Sequence, residues 1–431
     1  MMKKHLLAIS AAAVLLAPQA VGAEGFSINE WSAEGFAMGG ARMFAENDAA
    51  NMAYNPASLT KVQGEKAKIS VAYISPHGKW DAIGKDGYVP NGNGGVDYVQ
   101  GSPANGRNRV HPALAPGLYY AKQLNDKEWL GFGTYVRFGN MCQFERDSMV
   151  GTNAFSSRLN GCSIGMNYAR KHDSKWSTSV GAEINYVGLQ LDKNLSVASQ
   201  LGVPASKGDS PLHIEGTSWA LGWNAAANYA FDDKNEFGVV YRSKVKHSME
   251  ANFDAHGLLE GLSGDAYGCV TLPESWMMGY GHKFDDRTRM EFNATWTRWS
   301  RFDAFGITFN PWIGGGSHSE ANPKNWKDGW RYAIGIEHKL SDKYSVMAGI
   351  AHDERGIPDD YADFMVPTGE RDTYSLGVQY HDKKQTIALA LGYMDVGDLN
   401  MTGRNATDAY AKAKMYDSYT KIAVLSYQYN F

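Results

Sequence analysis

Long apolar runs are missing from most of this chain of 431 residues. Beyond residue 23, no stretch approaches the roughly 18 consecutive apolar residues that a membrane-spanning helix requires. A helical membrane protein is therefore excluded. Membrane-spanning strands are not excluded, because each such strand is short and only every second side chain in it is apolar.

Cysteine and excess charge are also scarce. The formal net charge is −4, which is no basic signature for nucleic acid, so we expect no nucleic-acid partner. The spacing of the three cysteines fits neither a metal site nor a disulfide framework. Cys142 and Cys162 fall on neighbouring predicted strands, which leaves a disulfide bridge or two buried thiols, and we expect free thiols.

Signatures of catalysis are lacking too. The chain has no H-E-x-x-H motif and no convincing combination of Ser, His and Asp, and its twelve histidines are scattered. The glycines at 92–95 and 314–316 have no strand–helix context for binding phosphate. We therefore expect no enzymatic activity, no metal and no cofactor.

What the sequence does contain begins with an export signal. Positive charge in residues 1–4 precedes an apolar stretch at 6–17, and small residues at 21–23 end it. This pattern predicts a signal peptide over residues 1–23, cleaved after Ala23, and the small-residue ending favours it over a retained anchor.

The next stretch, 25–60, is rich in Gly, Ala and small polar residues and lacks alternation. We predict that residues 24–64 form a plug and residues 65–431 a barrel around it.

Short polar turns recur along the rest of the chain. Six of them contain Asp, Asn or Ser, whose side chains bond to nearby backbone in tight turns. They lie at 125–127, 173–175, 232–234, 285–287, 341–343 and 382–384. Long connections rich in Gly, Pro, Asn and Asp alternate with these turns. They lie at 78–110, 145–156, 194–213, 253–268, 306–325, 354–370 and 398–414. Short turns at one end and long loops at the other are typical of an outer-membrane barrel.

Fourteen strands with alternating apolar and polar residues fit between these connections. Their predicted ranges are 65–77, 111–124, 128–144, 157–172, 175–193, 214–231, 235–252, 269–284, 287–305, 326–340, 343–353, 371–382, 385–397 and 415–431. The apolar faces are expected to meet lipid, because a charge there would cost about 2–4 kcal/mol at the bilayer midplane. We therefore predict an all-β fold, a fourteen-stranded antiparallel transmembrane β-barrel with an N-terminal plug in its lumen. The last strand alternates up to the terminal Phe431, which resembles the assembly signal of such barrels.

Several segments resemble the FadL family, the long-chain fatty acid transporters of Gram-negative outer membranes. The resemblance covers nearly the whole mature chain, and the order and spacing of the segments make it specific. The segments are Gly25–Glu30 (GFSINE), Asn55–Ala57 (NPA), Trp219–Lys246, Leu272–Trp276 (LPESW) and Lys327–Arg331 (KDGWR).

The resemblance implies a monomer in the bacterial outer membrane, surrounded by lipid and lipopolysaccharide and inserted by the barrel assembly machinery. It implies passive transport of a hydrophobic small molecule, in the first place a long-chain fatty acid. The substrate would meet an apolar groove among the outer loops and then a tighter pocket, whose occupancy shifts the N-terminal segment. It would leave sideways where the third strand kinks inward.

Candidate apolar substrate-binding residues lie on one strand and at the mature N-terminus. Val187, Leu189 and Leu191 have inward parity toward the outer end of the predicted strand 175–193. They fit a chamber for an apolar substrate, or equally packing against the plug. Phe26, at the mobile start of the plug, is the fourth candidate.

Candidate head-group cations are Arg137, Lys327 and Arg331. Lys327 and Arg331 share the inward parity of their predicted strand, and Lys327 matches a family position that contacts the ligand head group. The family's arginine partner on the fifth strand is missing, because the corresponding residues 187–190 read VGLQ. For each cation, an ion pair inside the lumen is the more frequent role. The missing arginine leaves uncharged aromatic hydrocarbons as the alternative substrate class.

Three further sets of residues are assigned from the loops and the resemblance. Apolar loop residues are interpreted as a capture groove or as small loop cores, and they are Leu195, Leu201, Leu258, Leu259 and Leu262. The hatch candidates form a stiff corner or an ordinary helix start, and they are Asn55, Pro56 and Ala57. The candidates for the lateral opening are Phe138 and Gly139, since Gly inside a strand favours a bend. A general porin is the rival function, and it would need no plug.

Overall fold

The computed structural model describes residues 25–91, 93–200, 204–405 and 407–431. The predicted signal peptide and Leu201 of the predicted capture groove lie outside these ranges. Described helices are α1 (Ala33–Ala37), α2 (Asn51–Tyr54) and α3 (Val197–Gln200), and described 3-10 turns are Pro56–Lys61, Met149–Thr152, Gly257–Leu259, Trp299–Arg301 and Asp359–Tyr361. Within the described residues, no helix is both long and apolar enough to cross a membrane.

Strands make up most of the remaining structure. In chain order they are β1 (Glu65–Gly84), β2 (Gly87–Pro90), β3 (Val96–Val99), β4 (Pro103–Arg107), β5 (Ala113–Asn125), β6 (Glu128–Tyr135), β7 (Gly139–Gln143), β8 (Ser156–Lys171), β9 (Trp176–Leu195), β10 (Ser210–Ala230), β11 (Asn235–Arg242), β12 (Val245–Ala255), β13 (Ser263–Leu272), β14 (Ser275–Lys283), β15 (Thr288–Thr297), β16 (Ala304–Asn310), β17 (His318–Pro323), β18 (Gly329–Lys339), β19 (Tyr344–Asp353), β20 (Arg371–His381), β21 (Gln385–Val396), β22 (Leu399–Thr402) and β23 (Tyr410–Asn430).

All but the small β2–β3 hairpin join in one closed antiparallel sheet. Each wall of the barrel pairs with the next along the chain, and β23 closes the barrel by pairing with β1, with Ile69 opposite Tyr427. Some walls consist of two consecutive strands separated by a break, namely β6–β7, β11–β12, β13–β14, β15–β16, β17–β18 and β21–β22. Counted as walls, with β4 continuing into β5, these strands confirm the predicted fourteen-stranded barrel.

The predicted alternation and turns appear directly in the structure. On β21, Leu389 and Leu391 are exposed on the outer face, while Ala388 and Ala390 are buried. In the turn at 173–175, the Asp173 carboxylate accepts the backbone N–H of a residue two positions later, at 2.7 Å. Equivalent bonds occur in the turns that begin at 125, 232, 285 and 382. Because each of these side chains bonds to the backbone two or three residues later, the chain turns tightly there and the strand ends.

Four of the predicted long connections contain more strand than expected, and they are 78–110, 253–268, 306–325 and 398–414. β1 and β9 have 20 residues each, and β10 and β23 have 21 each. The predicted connection 78–110 therefore includes the end of β1, and 306–325 includes β16 and β17. These extensions carry exposed charges such as Lys79, paired with Asp417, so they lack the apolar outer face by which the other strands were recognised.

Residues 25–62, called here the N-terminal segment, contact walls on every side of the closed sheet. Backbone N–H groups of Ala33 and Met43 donate to Ser426 of β23 and Glu291 of β15. On the opposite side, Trp129 of β6 donates to the Val62 carbonyl. Small residues allow this close fit, since a Cβ on Gly39, where φ is +64°, would lie 2.8 Å from the Ile350 carbonyl oxygen. Because the sheet is closed, contacts on all sides place the segment within the lumen.

Candidate functional site

The third wall is interrupted between β6 and β7. Its backbone leaves the sheet over residues 136–138 and pairs with the N-terminal segment instead. Ile28 donates its backbone N–H to the Arg137 carbonyl, and Gly139 donates to the Phe26 carbonyl, both at 2.8 Å. Ser27 and Phe138 therefore form an isolated antiparallel bridge at this break.

The interruption leaves a gap in the strand pairing beside β5. The pairing of β5 with β6 ends at Leu118 and Thr134, whereas β5 continues to pair with β1 as far as Ala113. Above the break, Arg109 donates its backbone N–H to the Gln143 carbonyl at 2.7 Å and bounds the gap. Between these two points, no strand pairing is recorded among the described residues on that side of β5.

Gly161 of β8 makes room for this inward bend. Its backbone N–H donates to the Phe138 carbonyl at 2.9 Å. A Cβ on Gly161 would lie 2.6 Å from that same oxygen, too close for the present path of the chain. Gly139 was predicted from sequence and Gly161 was not, because the requirement for Gly161 comes from contact with another strand rather than from its own strand.

Phe26 sits in an aromatic cage formed by Phe138, Trp299, Phe302 and Trp326. Its ring centroid lies 4.8 Å from that of Trp299 and 5.4 Å from that of Phe302, in edge-to-face arrangements. The rings of Phe138 and Trp326 lie 5.8 Å away. Edge-to-face pairs add about 0.5–1.5 kcal/mol each beyond burial. The first residues of the N-terminal segment thus occupy an aromatic cage that would also suit an apolar ligand.

The cage belongs to a large buried apolar cluster in the outer half of the lumen, called here the outer chamber. Val187 and Leu191 are buried in it, and Leu189 is half-buried against it. The predicted inward parity of these three residues thus agrees with their positions. The chamber also receives the outer loop 354–370, whose Phe364 is fully buried and whose Met365 carbonyl accepts from Asn140 of β7 at 2.8 Å.

A polar group of side chains lies beneath the outer chamber. Glu183 accepts from Arg137 at 3.1 Å, from Arg242 at 2.7 Å and from the Tyr135 hydroxyl at 3.0 Å. Arg242 also donates to the Ala53 carbonyl of the N-terminal segment. The predicted cation Arg137 is thus placed in a lumenal ion pair, and Arg242, which sequence reasoning did not select, shares the same carboxylate.

The predicted inward position of Lys327 is wrong. β18 begins only at Gly329, and Lys327 lies in the irregular segment before it with an exposed side chain. Arg331 does point inward, where it pairs with Asp353 at 2.5 Å and donates to the Gly39 carbonyl at 2.8 Å. The buried lysine of this region is Lys324, paired with Asp363. Strand parity could not be extrapolated to Lys327, because the alternation stops at the start of the strand.

The predicted capture-groove residues do not share one surface. Leu195 is fully buried in the outer chamber, and Leu259 and Leu262 pack against it as half-buried residues. Leu258 is 60% exposed at a loop tip. Three of the four described residues are therefore arranged as loop cores, which was the other interpretation. The open space nearby is a cavity of about 360 Å³ with one wall of Leu191, Ile214 and the apolar side chains of β16.

The lining of this outer cavity is also partly polar. It includes the Lys193–Glu320 ion pair, with its N–O distance of 2.9 Å, together with Asn153 and Asp408. Burial raises the pKa of the Asp408 carboxyl, although hydrogen bonds from Asn405 and Asn153 partly oppose this shift. The cavity can thus hold a molecule with an apolar body and a polar end.

The predicted hatch corner is a helix start. The Asn55 side chain accepts the Ala57 N–H at 3.1 Å, and Pro56 opens the 3-10 turn that follows. Asn55 has φ −151°, so it is extended and not left-handed. Its amide also donates to Asn228 of β10 at 2.7 Å, which ties the corner to the barrel wall. All three hatch candidates are buried.

One sequence motif with catalytic associations, at residues 161–165, was not predicted. Residues 161–165 read GCSIG, which matches the letters of a G-x-S-x-G elbow. They lie in the middle of β8 rather than in a strand-to-helix turn, and Ser163 donates to Asn185, which is not a general base. The motif therefore lacks its catalytic context. Cys142 and Cys162 are buried free thiols, as predicted.

Comparisons with known proteins agree over nearly the whole chain. The model of a family described as outer membrane protein transport protein (OMPP1/FadL/TodX) matches residues 13–431. Outer membrane protein P1 of Haemophilus influenzae is 24% identical over 421 residues, covering 91% of this chain and 90% of that protein. A long-chain fatty acid transport protein of Escherichia coli is 24% identical over 437 residues, covering 94% of each.

Solved structures show the same fold. The crystal structure of a Pseudomonas aeruginosa FadL homologue has a TM-score of 0.82 at 18% identity, covering 94% of this chain and all of that one. The crystal structure of the Pseudomonas putida toluene transporter TodX has a TM-score of 0.71 at 19% identity, covering 94% and 99%.

Proposed function

Because this chain belongs to the outer membrane protein transport family (OMPP1/FadL/TodX), we propose that it carries hydrophobic compounds passively across the outer membrane. The observation that carries this proposal is the gap beside β5, which lies next to an apolar chamber inside an otherwise closed barrel. A hydrophobic molecule gains about 25 cal/mol for each Å² of apolar area that it buries. The outer cavity and the outer chamber offer such area in succession.

The route turns sideways above the polar group around Glu183. An apolar molecule that continued downward would have to separate Glu183 from Arg137 and Arg242, and broken buried ion pairs cost several kcal/mol. The strand pairing between β5 and the third wall is interrupted at the level of Phe138, and a sideways path there would leave these ion pairs intact. The predicted lateral opening at Phe138 and Gly139 is thus supported by the strand register.

The N-terminal segment acts as the plug in this proposal, and its first residues act as the movable part. Ser27 and Ile28 pair with the third wall, and the Gly25 carbonyl accepts a hydrogen bond from Arg371. Phe26 fills the aromatic cage. A substrate that enters the cage must displace Phe26. Displacement also removes the backbone bonds to Arg137 and Gly139, so occupancy of the chamber and the shape of the lateral opening are linked.

Long-chain fatty acids are the first substrate class, since relatives of similar length are named as transporters of these acids. Uncharged aromatic hydrocarbons are the second, since structures of the same fold are named as toluene transporters and as a monoaromatic hydrocarbon channel. The cage of aromatic rings suits both an alkyl chain and a benzene ring. The protein is proposed to act as a monomer within a lipopolysaccharide-containing bilayer, after insertion by the barrel assembly machinery.

The test is uptake by cells that lack their own transporter, measured with labelled oleate and with labelled toluene. We expect expression of this protein to increase uptake of at least one of them. A Ser27→Cys/Phe138→Cys variant would join the paired residues 27 and 138. Oxidation is expected to abolish uptake and reduction to restore it. A barrel that is folded in the membrane but gives no increase with either compound would overturn the proposal, and high conductance in planar bilayers would indicate a porin instead.

A further inference from the structure

Four aromatic side chains in the outer chamber carry buried donors that have no acceptor among the described residues. They are Trp80, Trp299, Trp326 and Tyr410. Each is at most 3% exposed. Buried indole N–H and phenol O–H groups usually find a partner, because leaving one without an acceptor costs roughly 1–3 kcal/mol. Four such donors in one cluster therefore require an explanation.

The aromatic cluster around the N-terminal segment provides an internal comparison. There, the Trp31 indole donates to the Val136 carbonyl at 2.6 Å, and the Trp129 indole donates to the Val62 carbonyl at 2.7 Å. The Tyr119 hydroxyl donates to the Trp31 carbonyl at 2.8 Å. Packed aromatic residues elsewhere in this lumen thus do find acceptors, so the missing acceptors are a property of the outer chamber.

The four donors form two pairs, and each pair surrounds a phenylalanine from a segment without strand structure. Trp299 and Trp326 flank Phe26 of the N-terminal segment. Trp80 and Tyr410 flank Phe364 of the outer loop 354–370, with ring centroids 6.2 and 5.4 Å away. A phenylalanine fills the apolar part of each site and offers no acceptor to its donors. A ligand that replaced Phe26 or Phe364 would satisfy them with an oxygen atom.

The charges around the chamber indicate that this oxygen belongs to an uncharged group. Lys324 pairs with Asp363, Lys193 with Glu320, and Arg137 with Glu183. Arg371, next to the cage, donates to the Thr368 hydroxyl and to the Gly25 carbonyl. A carboxylate would have to separate one of the ion pairs, displace these acceptors from Arg371, or stay buried without a counter-ion, and each of these has a cost. The donors left over are neutral and suit a carbonyl, ester or ether oxygen.

We propose that the preferred cargo of the outer chamber is an uncharged hydrophobic molecule with a hydrogen-bond-accepting oxygen, such as a ketone or an ester, rather than a carboxylate or a pure hydrocarbon. The inference rests on the proposed transport function and specifies its substrate class. Trp299 and Trp326 determine this specificity at the cage, and Trp80 and Tyr410 determine it at the loop.

The experiment is calorimetric binding to the purified barrel with three ligands of equal chain length, decane, 2-decanone and decanoate. We expect 2-decanone to bind about fivefold or more tightly than decane, which corresponds to one net hydrogen bond. Decanoate is expected to bind more weakly than 2-decanone. Trp299→Phe/Trp326→Phe and Trp80→Phe/Tyr410→Phe remove the donors and leave an aromatic ring at each position, although phenyl is smaller than indole. In at least one of these double variants, 2-decanone and decane should bind with equal affinity.

Phe302→Leu is the matched control, because Phe302 lines the same cage without a polar atom. It is expected to weaken the binding of decane and 2-decanone by the same factor. The ligand-free Tyr410→Phe variant, which keeps its ring, should unfold at the same denaturant concentration as the wild type, or a higher one, since it loses a donor without a partner. A lower midpoint of this variant would mean that the Tyr410 hydroxyl has an acceptor, and would overturn the proposal.

Three binding results would also contradict it. The tightest binding of decanoate, or of decane, would overturn this specificity and leave the proposed transport of hydrophobic compounds intact. An unchanged preference for 2-decanone in both double variants would show that these four residues do not determine it. Binding of none of the three ligands to a folded barrel would count against the proposed function itself.

Discussion

Carboxylates and cations inside this lumen meet in closed groups. Lys68 of β1 contacts Glu34 at 2.9 Å and Asp48 at 2.7 Å, and Arg42 contacts Asp48 and Glu337. Such groups are costly to separate once buried. An individual charge in the lumen is therefore informative only together with its partners.

Glu30 departs from this pattern and gives a pH-dependent prediction. Burial raises the pKa of its carboxyl above the ordinary 4.5, and the nearby Arg331 only partly opposes this. Because its pKa is raised, the contribution of the protonated Glu30 carboxyl to folding stability is fully present below about pH 4.5. This contribution is lost as the pH rises through the higher pKa of the folded state. Glu30→Gln should therefore raise the denaturant midpoint at pH 7 to 8, and the difference from the wild type should vanish near pH 4.

Asp48 is the control of opposite sign. Burial alone would raise its pKa, but Lys68 and Arg42 outweigh burial and hold the pKa below its ordinary 3.8. Its contribution to stability is thus present above about pH 4 and is lost as pH falls further. Asp48→Asn should lower the midpoint at pH 7. If both variants changed stability in the same direction at pH 7, the two environments would not differ as described.

Asn55 supplies two separate bonds, and two substitutions distinguish them. Asn55→Ala removes the cap on the Ala57 N–H, worth about 1 kcal/mol, and the bond to Asn228, worth about another 1 kcal/mol. Asn55→Ser keeps a capping oxygen and removes only the bond to the wall. Chemical denaturation should therefore rank stability as wild type, then Ser, then Ala. Equal losses in both variants would contradict the capping role.

Single residues were predictable from sequence only where a regular strand surrounds them. Val187 and Leu191 follow the parity of β9, and Arg331 follows that of β18. Lys327 did not, because the chain before Gly329 is irregular. The donors of Trp299 and Trp326 could not be assessed at all, since the presence of an acceptor depends on segments distant in sequence.

At the scale of elements, the third wall differs from the others because it pairs with the N-terminal segment on its inner side. Its break between Tyr135 and Gly139 is matched by Gly161 on the neighbouring strand. Alternation along residues 128–144 is local and predicts one continuous strand. The break arises from pairing with residues 26–28, more than a hundred positions earlier, so local pattern could not reveal it.

Gly161 and Gly165 allow a matched test of the lateral opening. A Cβ on Gly161 would lie 2.6 Å from the Phe138 carbonyl oxygen, whereas one on Gly165 would be 3.4 Å from its nearest neighbour. Gly161→Ala should shift the break and reduce uptake severalfold, and Gly165→Ala should leave uptake near the wild-type level. Both barrels should still assemble, as judged by heat-dependent gel mobility. Equal uptake in the two variants would show that transport does not depend on the shape of the third wall.

At the scale of the whole molecule, the lumen is divided by height. Apolar side chains fill its outer half, and buried charges connect the N-terminal segment to the wall in its inner half. The number of strands and their apolar faces could be predicted from local alternation. The division by height could not, because it depends on which inward positions of many strands come to lie at one level.

Two lysines of β1 test whether the inner charges retain the plug. Lys68→Met would leave Glu34 and Asp48 without this cation, at a cost of roughly 3–5 kcal/mol. We expect the variant to show larger and more frequent conductance steps in planar bilayers. Lys66→Met is the control, since Lys66 bonds to Asn430 rather than to a carboxylate and should remain near the wild-type conductance. Equal conductance in both variants would show that this ion group does not retain the plug.

The unequal length of the walls has a consequence for where uptake starts. Walls of 20 or 21 residues, such as β1 and β10, extend about 65–70 Å along the strand at about 3.3 Å per residue. Even with a tilt of about 40°, they rise to roughly twice the 25 Å height of the apolar band. The outer cavity, beside Leu191 and Ile214 near the tops of β9 and β10, therefore lies above the apolar band. Under the proposed function, a molecule would be collected above the apolar band, before it reaches the lipid.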